Sequence, residues 1–288
     1  MNNKDTKIEK KRISILGCGW LGFPLAQRLL ADDISSIIKG STTSADKIEQ
    51  FRNAGIKPFL FNLNPELAGE TSQITSFFDT DILVISIPPR LSKNEEDFHP
   101  RQIKSVIAHI NQSPIREIVF VSSTSIYPDL NRVVVENDVI NPEESSSPAL
   151  VKAENLLLSI RGERKVSILR HGGLLGYNRI PGKYVRGQKD MTTASIPVNY
   201  IHRDDAAGII STILKKGVVD ETFNVVAPLH PTRREVYEKS CAEFNWEAPT
   251  FSEPEIRPDF KIISAEKLNK FYPYTFQYPD PLLFYYEA

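Results

Sequence analysis

Three glycines with the spacing of a phosphate-binding turn lie near the start of the chain. The run G-C-G-W-L-G at 17–22 follows a short apolar stretch and opens a helical pattern. In such a turn the first glycine allows the bend, the second lets the backbone approach a pyrophosphate, and the third lets helix and strand pack closely. Because this setting is the one the motif requires, we predict a dinucleotide site; a tight turn without a ligand is the alternative. The predicted cofactor contacts are Gly17, Gly19, Trp20, Leu21 and Gly22.

The residues after the second predicted strand bear on which dinucleotide is bound. An NAD site usually places Asp or Glu about 20 residues after the glycine turn, where the carboxylate binds the ribose 2′-hydroxyl. This chain has K-G-S-T-T at 39–43 and Lys47 one turn later, with no carboxylate among them. Hydroxyls and lysines suit a 2′-phosphate, so we predict NADP(H) in preference to NAD(H), bound by Ser41, Thr42 and Thr43. A polar turn that binds nothing is the alternative.

Composition excludes several other chemistries. The 288 residues carry 35 Lys+Arg and 36 Asp+Glu, so no bulk charge attracts nucleic acid or an anionic membrane. Two cysteines are too few for a disulfide framework or a thiolate zinc site, and the five histidines form no metal motif. No stretch approaches the roughly 18 apolar residues of a membrane span. We therefore expect a cytoplasmic protein, a monomer or homodimer, that acts on a small molecule and binds no metal, nucleic acid or membrane.

The elements that must position these residues alternate between short β-rich runs and helical ones. Strands are predicted at 13–16, 34–39, 57–62, 81–87, 117–122 and 165–170, and helices at 21–30, 44–54, 102–110 and 148–160. Such alternation indicates βαβ units and a parallel sheet, so the predicted fold class is α/β, a Rossmann-type doubly wound parallel sheet. We predict a disordered leader at 1–12, an NAD(P)-binding domain at 13–170 and a smaller substrate lobe at 171–288, partly interleaved with it.

Four stretches in order carry a resemblance to a known family. They read G-C-G-W-L-G, E-I-V-F-V-S-S-T-S-I-Y-P, L-R-H-G-G-L-L-G-Y and V-N-Y-I-H-R-D-D-A. The chain resembles the extended short-chain dehydrogenase/reductases, the NAD(P)-dependent epimerase/dehydratase family, from about residue 13 to residue 281. Within it, the chain is similar to an atypical YeeZ-like branch, which shares G-x-G-W-L-G near the start and Q-Y-P-D-P, here at 277–281, near the end.

The resemblance implies a reacting end for the site. In the family, a Ser or Thr that hydrogen-bonds the substrate's reacting oxygen stands three residues before a Val-Tyr-type pair. Here the pair lies at 126–127 and the hydroxyl belongs to Ser123. A Tyr-x-x-x-Lys motif normally begins about 25 residues later; its tyrosine is the general acid/base, and its lysine lowers the pKa of that tyrosine and holds the nicotinamide ribose. The matching positions here are Pro148 and Lys152, so the lysine is present and the tyrosine is absent.

Ser123 and Lys152 are thus the implied catalytic residues, and Lys152 is also an implied cofactor contact. A solvated lysine paired with Glu154 or Glu144 is the alternative for Lys152. Proline has no exchangeable side-chain proton, so either another group supplies the proton or carbonyl–alcohol redox chemistry is lost. The candidate substitutes, each with a structural alternative, are Tyr177, Tyr184, Tyr200, His171 and His202.

The substrate is predicted to contact the segment after residue 176. The resemblance implies that this region lines a substrate pocket, often for nucleotide-sugars, and its basic residues suit a phosphorylated or carboxylated substrate. A merely solvated loop is the alternative. The predicted substrate residues are Tyr177, Arg179, Lys183 and His202. The P-P-R run at 88–90 places Pro88 as a stiff wall beside the nicotinamide.

Two functions remain open from the sequence. The first is an NADP(H)- or NAD(H)-dependent oxidoreductase or epimerase-like enzyme that acts on a small polar substrate; Ser123 and Lys152 favour it. The second is a catalytically impaired protein that senses NADP(H) and signals through a partner; the absent tyrosine favours this one.

Overall fold

A seven-stranded parallel sheet forms the centre of the computed structural model, which describes residues 10–89 and 97–287. Its strands are β1 (Lys11–Leu16), β2 (Ser35–Thr42), β3 (Lys57–Leu60), β4 (Ile82–Ile85), β5 (Glu117–Ser123), β6 (Lys165–His171) and β7 (Thr222–Val225). They lie in the order β7-β6-β5-β4-β1-β2-β3, and all neighbours are parallel. The order reverses between β1 and β4, the switch point where sheets of this type bind ligands beyond their carboxyl ends.

Helices cover both faces of this sheet. The α-helices within the described residues are α1 (Gly22–Ala31), α2 (Lys47–Asn53), α3 (Thr71–Phe78), α4 (Phe98–Ile110), α5 (Pro148–Leu158), α6 (Pro181–Val185), α7 (Arg203–Lys216), α8 (Arg233–Glu243) and α9 (Glu266–Phe271). Helices α1 and α7 pack in one apolar core, and α3, α4 and α5 pack in the other. Because helices lie on both faces, the strands read as continuous apolar runs; all four residues of β4 are fully buried. The predicted Rossmann-type α/β fold is confirmed.

The smaller lobe is built from short elements around its own apolar cluster. Its core contains Leu175, Ile180, Ala227, Phe284 and Tyr286. Within it, Gly173–Leu175 pairs with Tyr200–His202, and Lys261–Ile263 pairs with Arg132–Val134 from the first domain. A further short pair, Asn62–Leu63 with Leu67–Ala68, follows β3.

The central sheet extends beyond the predicted boundary at residue 170. Strand β7 pairs with β6, and α7 packs on α1, although both come from the stretch predicted as the smaller lobe. The predicted interleaving therefore takes the form of a complete helix and an edge strand that return to the sheet. Periodicity locates such elements, but it does not say which sheet edge they join.

The chain's first described residues differ from the predicted leader. Lys11 and Arg12 belong to β1, and the guanidinium of Arg12 donates to Asp81 at 2.9 Å and to Asp79 at 2.7 Å. The prediction of a leader through residue 12 is wrong for these two residues, because the strand begins before its apolar run. Residues 1–9 lie outside the described part of the chain. In 10–89 and 97–287, no helix is long and apolar enough to cross a membrane.

Candidate functional site

A cavity of about 550 Å³ opens at the carboxyl ends of the central strands. The glycine turn forms one wall, the residues that follow β4 and β5 form its floor, and the start of the smaller lobe forms another wall. Its lining residues include Gly17–Leu21, Thr42, Thr43, Lys47, Asn62, Leu63, Ser86–Pro89, Gln102, Val121–Ser123, His171–Leu174 and Arg179. The predicted contacts Gly17, Gly19, Trp20, Leu21, Thr42, Thr43 and Pro88 and the implied residue Ser123 are among them.

The three glycines of the turn face different surroundings. Gly17 has a φ of 87°, and a Cβ there would lie 2.5 Å from the carbonyl oxygen of Ser86. A Cβ on Gly22 would lie 2.7 Å from the Gly17 carbonyl oxygen, which makes close packing of α1 on β1 impossible for a larger residue. A Cβ on Gly19 would meet nothing within 4 Å. The turn thus needs Gly17 and Gly22 to fold, whereas Gly19 leaves open space where a ligand's phosphates can approach the backbone.

Ser41 holds the glycine turn through two hydrogen bonds. It is buried, and its hydroxyl accepts a hydrogen bond of 2.9 Å from the Gly17 N–H, while its carbonyl accepts one of 3.0 Å from the Cys18 N–H. Ser41 does not line the cavity. Lys39 is also buried, and its ammonium donates to the carbonyls of Ser76 and Asp79, which removes it from any phosphate site. Burial lowers the pKa of Lys39.

The end of the cavity beside β2 and β3 carries hydroxyl, amide and ammonium groups. Thr42 and Thr43 line it, as predicted, together with the exposed Lys47 at the start of α2. Asn62 and Leu63 line it as well and were missed by sequence reasoning. Their position just after β3, on the side of the glycine turn, is the signal that could have identified them.

Trp20 joins the glycine turn to the smaller lobe. Its indole N–H donates to the side-chain oxygen of Asn178 at 2.8 Å, and the guanidinium of Arg179 lies 4.0 Å from the ring centre. Arg203 stands 5.4 Å from the same ring and 3.5 Å from the ring of Tyr177. Cations over aromatic faces are attracted by the ring quadrupole, so this cluster fixes the lobe against the turn.

The other predicted substrate residues lie away from the cavity. The Tyr177 hydroxyl donates to Asp204 at 2.7 Å. His202 is buried and caps α7, because its Nδ1 accepts from the Asp204 N–H while its Nε2 donates to the Tyr285 carbonyl. Lys183 is exposed on α6. Of the four predicted substrate residues, the structure brings only Arg179 to the cavity wall.

Two neighbouring strand ends, those of β5 and β6, form the end of the cavity for which the resemblance implies the reacting groups. Ser123, the last residue of β5, is half-buried, and its Oγ accepts a hydrogen bond of 3.1 Å from the Ser125 N–H. In the register of the sheet, Ser123 lies beside His171, the last residue of β6. His171 is buried, and its Nδ1 lies 3.1 Å from the carbonyl oxygen of Leu169.

A buried polar network lies under this end, on the opposite face of the sheet. Arg170 and Glu154 form an ion pair of 2.7 Å in which both side chains are at most 5% exposed. The same carboxylate accepts a hydrogen bond from the Ser122 hydroxyl, and Arg170 donates to the Tyr127 hydroxyl at 2.8 Å. The Tyr127 hydroxyl donates to Asn224 of β7. The network therefore ties β5, α5, β6 and β7 together just behind the cavity.

Lys152 is placed differently from the family pattern. Its ammonium lies 3.2 Å from a carboxylate oxygen of Asp97, just before α4, and it does not line the cavity. The alternatives Glu154 and Glu144 are not its partners, because Glu154 pairs with Arg170 and Glu144 accepts from backbone N–H groups at 140 and 141. Its implied contact with a cofactor stays a prediction. Pro148 begins α5, a position where a missing N–H costs nothing.

No tyrosine lines the cavity within the described residues. Tyr127, the nearest to Ser123 in sequence, is fully buried and bound to Arg170 and Asn224; burial raises its pKa. Tyr184 is exposed on α6. Burial raises the pKa of the Tyr200 hydroxyl. Of the five candidate substitutes for the missing tyrosine, His171 alone contributes to the cavity wall.

Charge on the wall of the cavity has one sign. Lys47 and Arg179 are the charged residues that line it within 10–89 and 97–287, and no carboxylate does. Neither cation forms an ion pair in that part of the chain.

Burial raises the pKa of Cys18 in the turn to about 12, so this side chain is a neutral thiol. No group of three or more His, Cys, Asp or Glu within the described residues is placed to hold a metal.

Comparison with known proteins decides the family. Protein YeeZ of Escherichia coli strain K12 is 33% identical over 273 residues, which cover 95% of this chain and 98% of YeeZ; YeeZ of strain O157:H7 gives the same values. The chain belongs to the YeeZ family. No model of a protein family matches the sequence.

Solved structures of epimerases and of short-chain dehydrogenase/reductases share the fold. The UDP-Glc/GlcNAc 4-epimerase of Campylobacter jejuni has a TM-score of 0.74 at 16% identity, over 94% of this chain and 96% of the epimerase. A short-chain dehydrogenase/reductase superfamily protein of Agrobacterium tumefaciens, solved with bound NAD, has a TM-score of 0.73 at 14% identity over 94% of both chains. At such identities the likeness establishes the fold of this YeeZ-like chain.

Burial of His171 predicts that the protein loses stability in acid. Burial lowers the pKa of His171 to about 4, although its bond to the Leu169 carbonyl raises it, whereas an unfolded histidine has a pKa of about 6.5. As the pH falls through this interval, the unfolded chain takes up a proton that the folded chain does not. We expect this residue alone to lower the free energy of unfolding by about 3 kcal/mol between about pH 7 and pH 4, measured by urea denaturation.

The other four histidines also have lowered pKa values and act in the same direction. The contribution of His171 is therefore the difference between the wild type and His171→Gln in the pH dependence of unfolding. Equal slopes for the two proteins would contradict the prediction.

Proposed function

We propose that this protein is an NAD(P)-dependent oxidoreductase or epimerase-like enzyme that acts on a small polar substrate. One observation carries the proposal: a single cavity is lined by the glycine turn on one side and by the ends of β5 and β6 on the other. A dinucleotide that spans the switch point of a doubly wound sheet needs such an arrangement.

The residues of the cavity fit each part of the cofactor. The backbone N–H groups at the start of α1 and the open space over Gly19 suit the pyrophosphate. Thr42, Thr43 and Lys47 suit a 2′-phosphate on the adenosine ribose. Pro88 and Ser123 stand on the side where the nicotinamide and the reacting carbon of the substrate would meet. When bound, the cofactor supplies hydride acceptance or donation, and the protein supplies orientation and proton handling.

The cofactor preference is tested first by binding. We expect NADPH to raise the melting temperature more than NADH does, because Lys47 lines this end of the cavity and, within the described residues, no carboxylate does. Lys47→Gln should lower the affinity for NADPH by about tenfold, or about 1.4 kcal/mol, and leave the affinity for NADH unchanged, as measured by titration calorimetry at low salt.

Lys215→Gln is the matched control, since this lysine lies in the last turn of α7 and does not line the cavity. Equal loss of NADPH and NADH affinity in Lys47→Gln would remove the preference for NADP(H). No binding of any nicotinamide nucleotide to the wild type would overturn the proposed function.

The substrate is proposed to carry an anionic group. The guanidinium of Arg179 lies over the Trp20 ring at the wall formed by the smaller lobe and forms no ion pair within the described residues. Structures with this fold include one described with UDP-glucose and NAD, at a TM-score of 0.67; together with the cations of the cavity wall, this supports a nucleotide-sugar-like substrate. A regulatory NADP(H) sensor is the second candidate, supported by Pro148 and by a cavity wall without tyrosine. Nucleotide binding without turnover of any carbonyl or alcohol substrate would favour it.

A further inference from the structure

The wall of the cavity holds few groups that can exchange a proton near neutral pH. Its polar side chains are the hydroxyls of Thr42, Thr43, Ser86 and Ser123, the amides of Asn62 and Gln102, the Cys18 thiol, the cations Lys47 and Arg179, and the imidazole of His171. Hydroxyls and amides do not ionise in this range, and the thiol is neutral because burial raises its pKa. An imidazole is the side chain whose ordinary pKa lies in this range.

The hydrogen bonds of His171 define which of its nitrogens is free. Nδ1 lies 3.1 Å from the Leu169 carbonyl oxygen, which can only accept, so Nδ1 carries the proton of the neutral ring. Nε2 is buried and has no hydrogen-bond partner in the described part of the chain. A buried acceptor without a partner is uncommon in a folded protein. His171 thus belongs to the residues that line the cavity, and its Nε2 lone pair, shielded from solvent in the ligand-free structure, has no partner among the described residues.

Ser123 complements this acceptor with a donor. The two residues are register partners at the ends of β5 and β6, so their side chains leave the same face of the sheet. The Ser123 oxygen accepts from the Ser125 N–H, and its own O–H has no acceptor within the described residues. A hydroxyl group of a ligand accepts one hydrogen bond and donates another. A free O–H beside a free lone pair is the pair of protein groups that binds such a hydroxyl.

We propose that His171 Nε2 accepts the proton of the substrate's hydroxyl and replaces the tyrosine that position 148 lacks. This inference rests on the proposed function. In the oxidation direction, the hydride leaves the substrate carbon with both electrons of its C–H bond and passes to the oxidised nicotinamide. The O–H bond of the substrate breaks, its proton passes to His171 Nε2, and a C=O bond forms. Ser123 donates a hydrogen bond to the oxygen throughout, and reduction reverses each step.

The neutral imidazole of His171 can accept a proton, as the oxidation direction requires. Burial lowers the pKa of His171, and no charged side chain contributes to that shift. The imidazole is therefore neutral at the start of the step and able to accept. The lowered pKa makes the ring a weak base, so the proton moves only as the hydride departs, and the imidazolium formed releases the proton readily.

Nuclear magnetic resonance of histidine-labelled protein tests whether His171 meets the cofactor's reacting end. The chain has five histidines, so each signal can be assigned with single His→Gln variants. We expect the free protein to show His171 with the proton on Nδ1. NADP⁺ and NADPH differ in charge only at the nicotinamide, so the Nε2 signal of His171 should differ between the two complexes.

His230 is the matched internal control. Its Nδ1 also lies against a backbone carbonyl, that of Val198 at 2.9 Å, but it does not line the cavity. Its signal should be the same in both complexes. If NADP⁺ and NADPH bind and the His171 signal is the same in both, the inference fails while the proposed function stands. If neither nucleotide binds, the proposed function itself fails.

Turnover separates proton transfer from simple contact. With a panel of alcohols and carbonyl compounds, His171→Gln should lower kcat by about 10²–10⁴-fold and leave the affinity for NADPH within about twofold. Added imidazole should restore part of the activity of His171→Ala, which a purely structural histidine would not allow. Loss of NADPH affinity with unchanged kcat would assign His171 to cofactor positioning and overturn the proposal. So would a wild type that binds NADPH and turns over no member of the panel.

Discussion

Gly19→Val is expected to lower the affinity for NADPH by at least about tenfold, or about 1.4 kcal/mol, without lowering the melting temperature of the free protein. A Cβ at this position meets nothing within 4 Å, and the backbone of Gly19 is not in the left-handed region. The folded chain therefore has room for the new side chain. In the proposed binding mode, the phosphates of the cofactor approach the N–H groups of the turn through that space, so the isopropyl group would exclude the cofactor. Calorimetric titration and a thermal melt of the same sample measure both effects.

Gly22→Ala gives the opposite pattern and serves as the control. Its Cβ would lie 2.7 Å from the Gly17 carbonyl oxygen, so α1 must move away from β1. We expect a clear fall in melting temperature even without ligand. An unchanged NADPH affinity in Gly19→Val would show that the turn does not carry the pyrophosphate.

Arg170→Met is expected to reduce the free energy of unfolding by about 3–5 kcal/mol, as is typical when one partner of a buried ion pair is removed. The guanidinium is hydrogen-bonded to Glu154, to the Tyr127 hydroxyl and to the carbonyls of Glu136 and Val139. Its loss leaves the Glu154 carboxylate buried without a counter-charge. Chemical denaturation monitored by circular dichroism measures the effect.

The double variant Arg170→Met/Glu154→Leu should recover part of the loss, because no charge is then left unpaired. Arg52→Met removes an arginine from an exposed pair with Glu49 and should change stability by less than about 1 kcal/mol. A double variant no more stable than Arg170→Met would mean that lost packing and the unpaired carbonyls, rather than the stranded carboxylate, cause the destabilisation.

The sequence was sufficient for those parts of the fold that depend on local patterns. The apolar run at 81–87 predicted a strand covered on both faces, and β4 is fully buried. The glycine turn was predicted from its spacing, and its backbone geometry agrees with the distinct requirements at Gly17 and Gly22. These features are encoded by neighbouring residues, so a single chain reveals them.

Features that depend on contacts between distant residues could not be predicted. Ser41 reads as a polar residue after a strand, but its hydroxyl is bound to a turn 24 residues earlier. Lys152 matches a family position, but the chain before α4 supplies Asp97 as its partner. His171 reads as a residue at the end of a strand, and only the register of β5 and β6 places it beside Ser123. In each case the function of the side chain is decided by a neighbour that sequence spacing does not identify.

The position of β7, which joins the central sheet after a long intervening stretch of chain, has a consequence for biosynthesis. Strand β6 is paired on one side by β5, and its other side is covered only by β7. A ribosome completes the first six strands well before Thr222–Val225 emerges, so the growing chain exposes an apolar strand edge during translation. Such an edge is prone to pair with other chains. Nascent chains that pause in the stretch between these two strands are therefore the ones most in need of a chaperone.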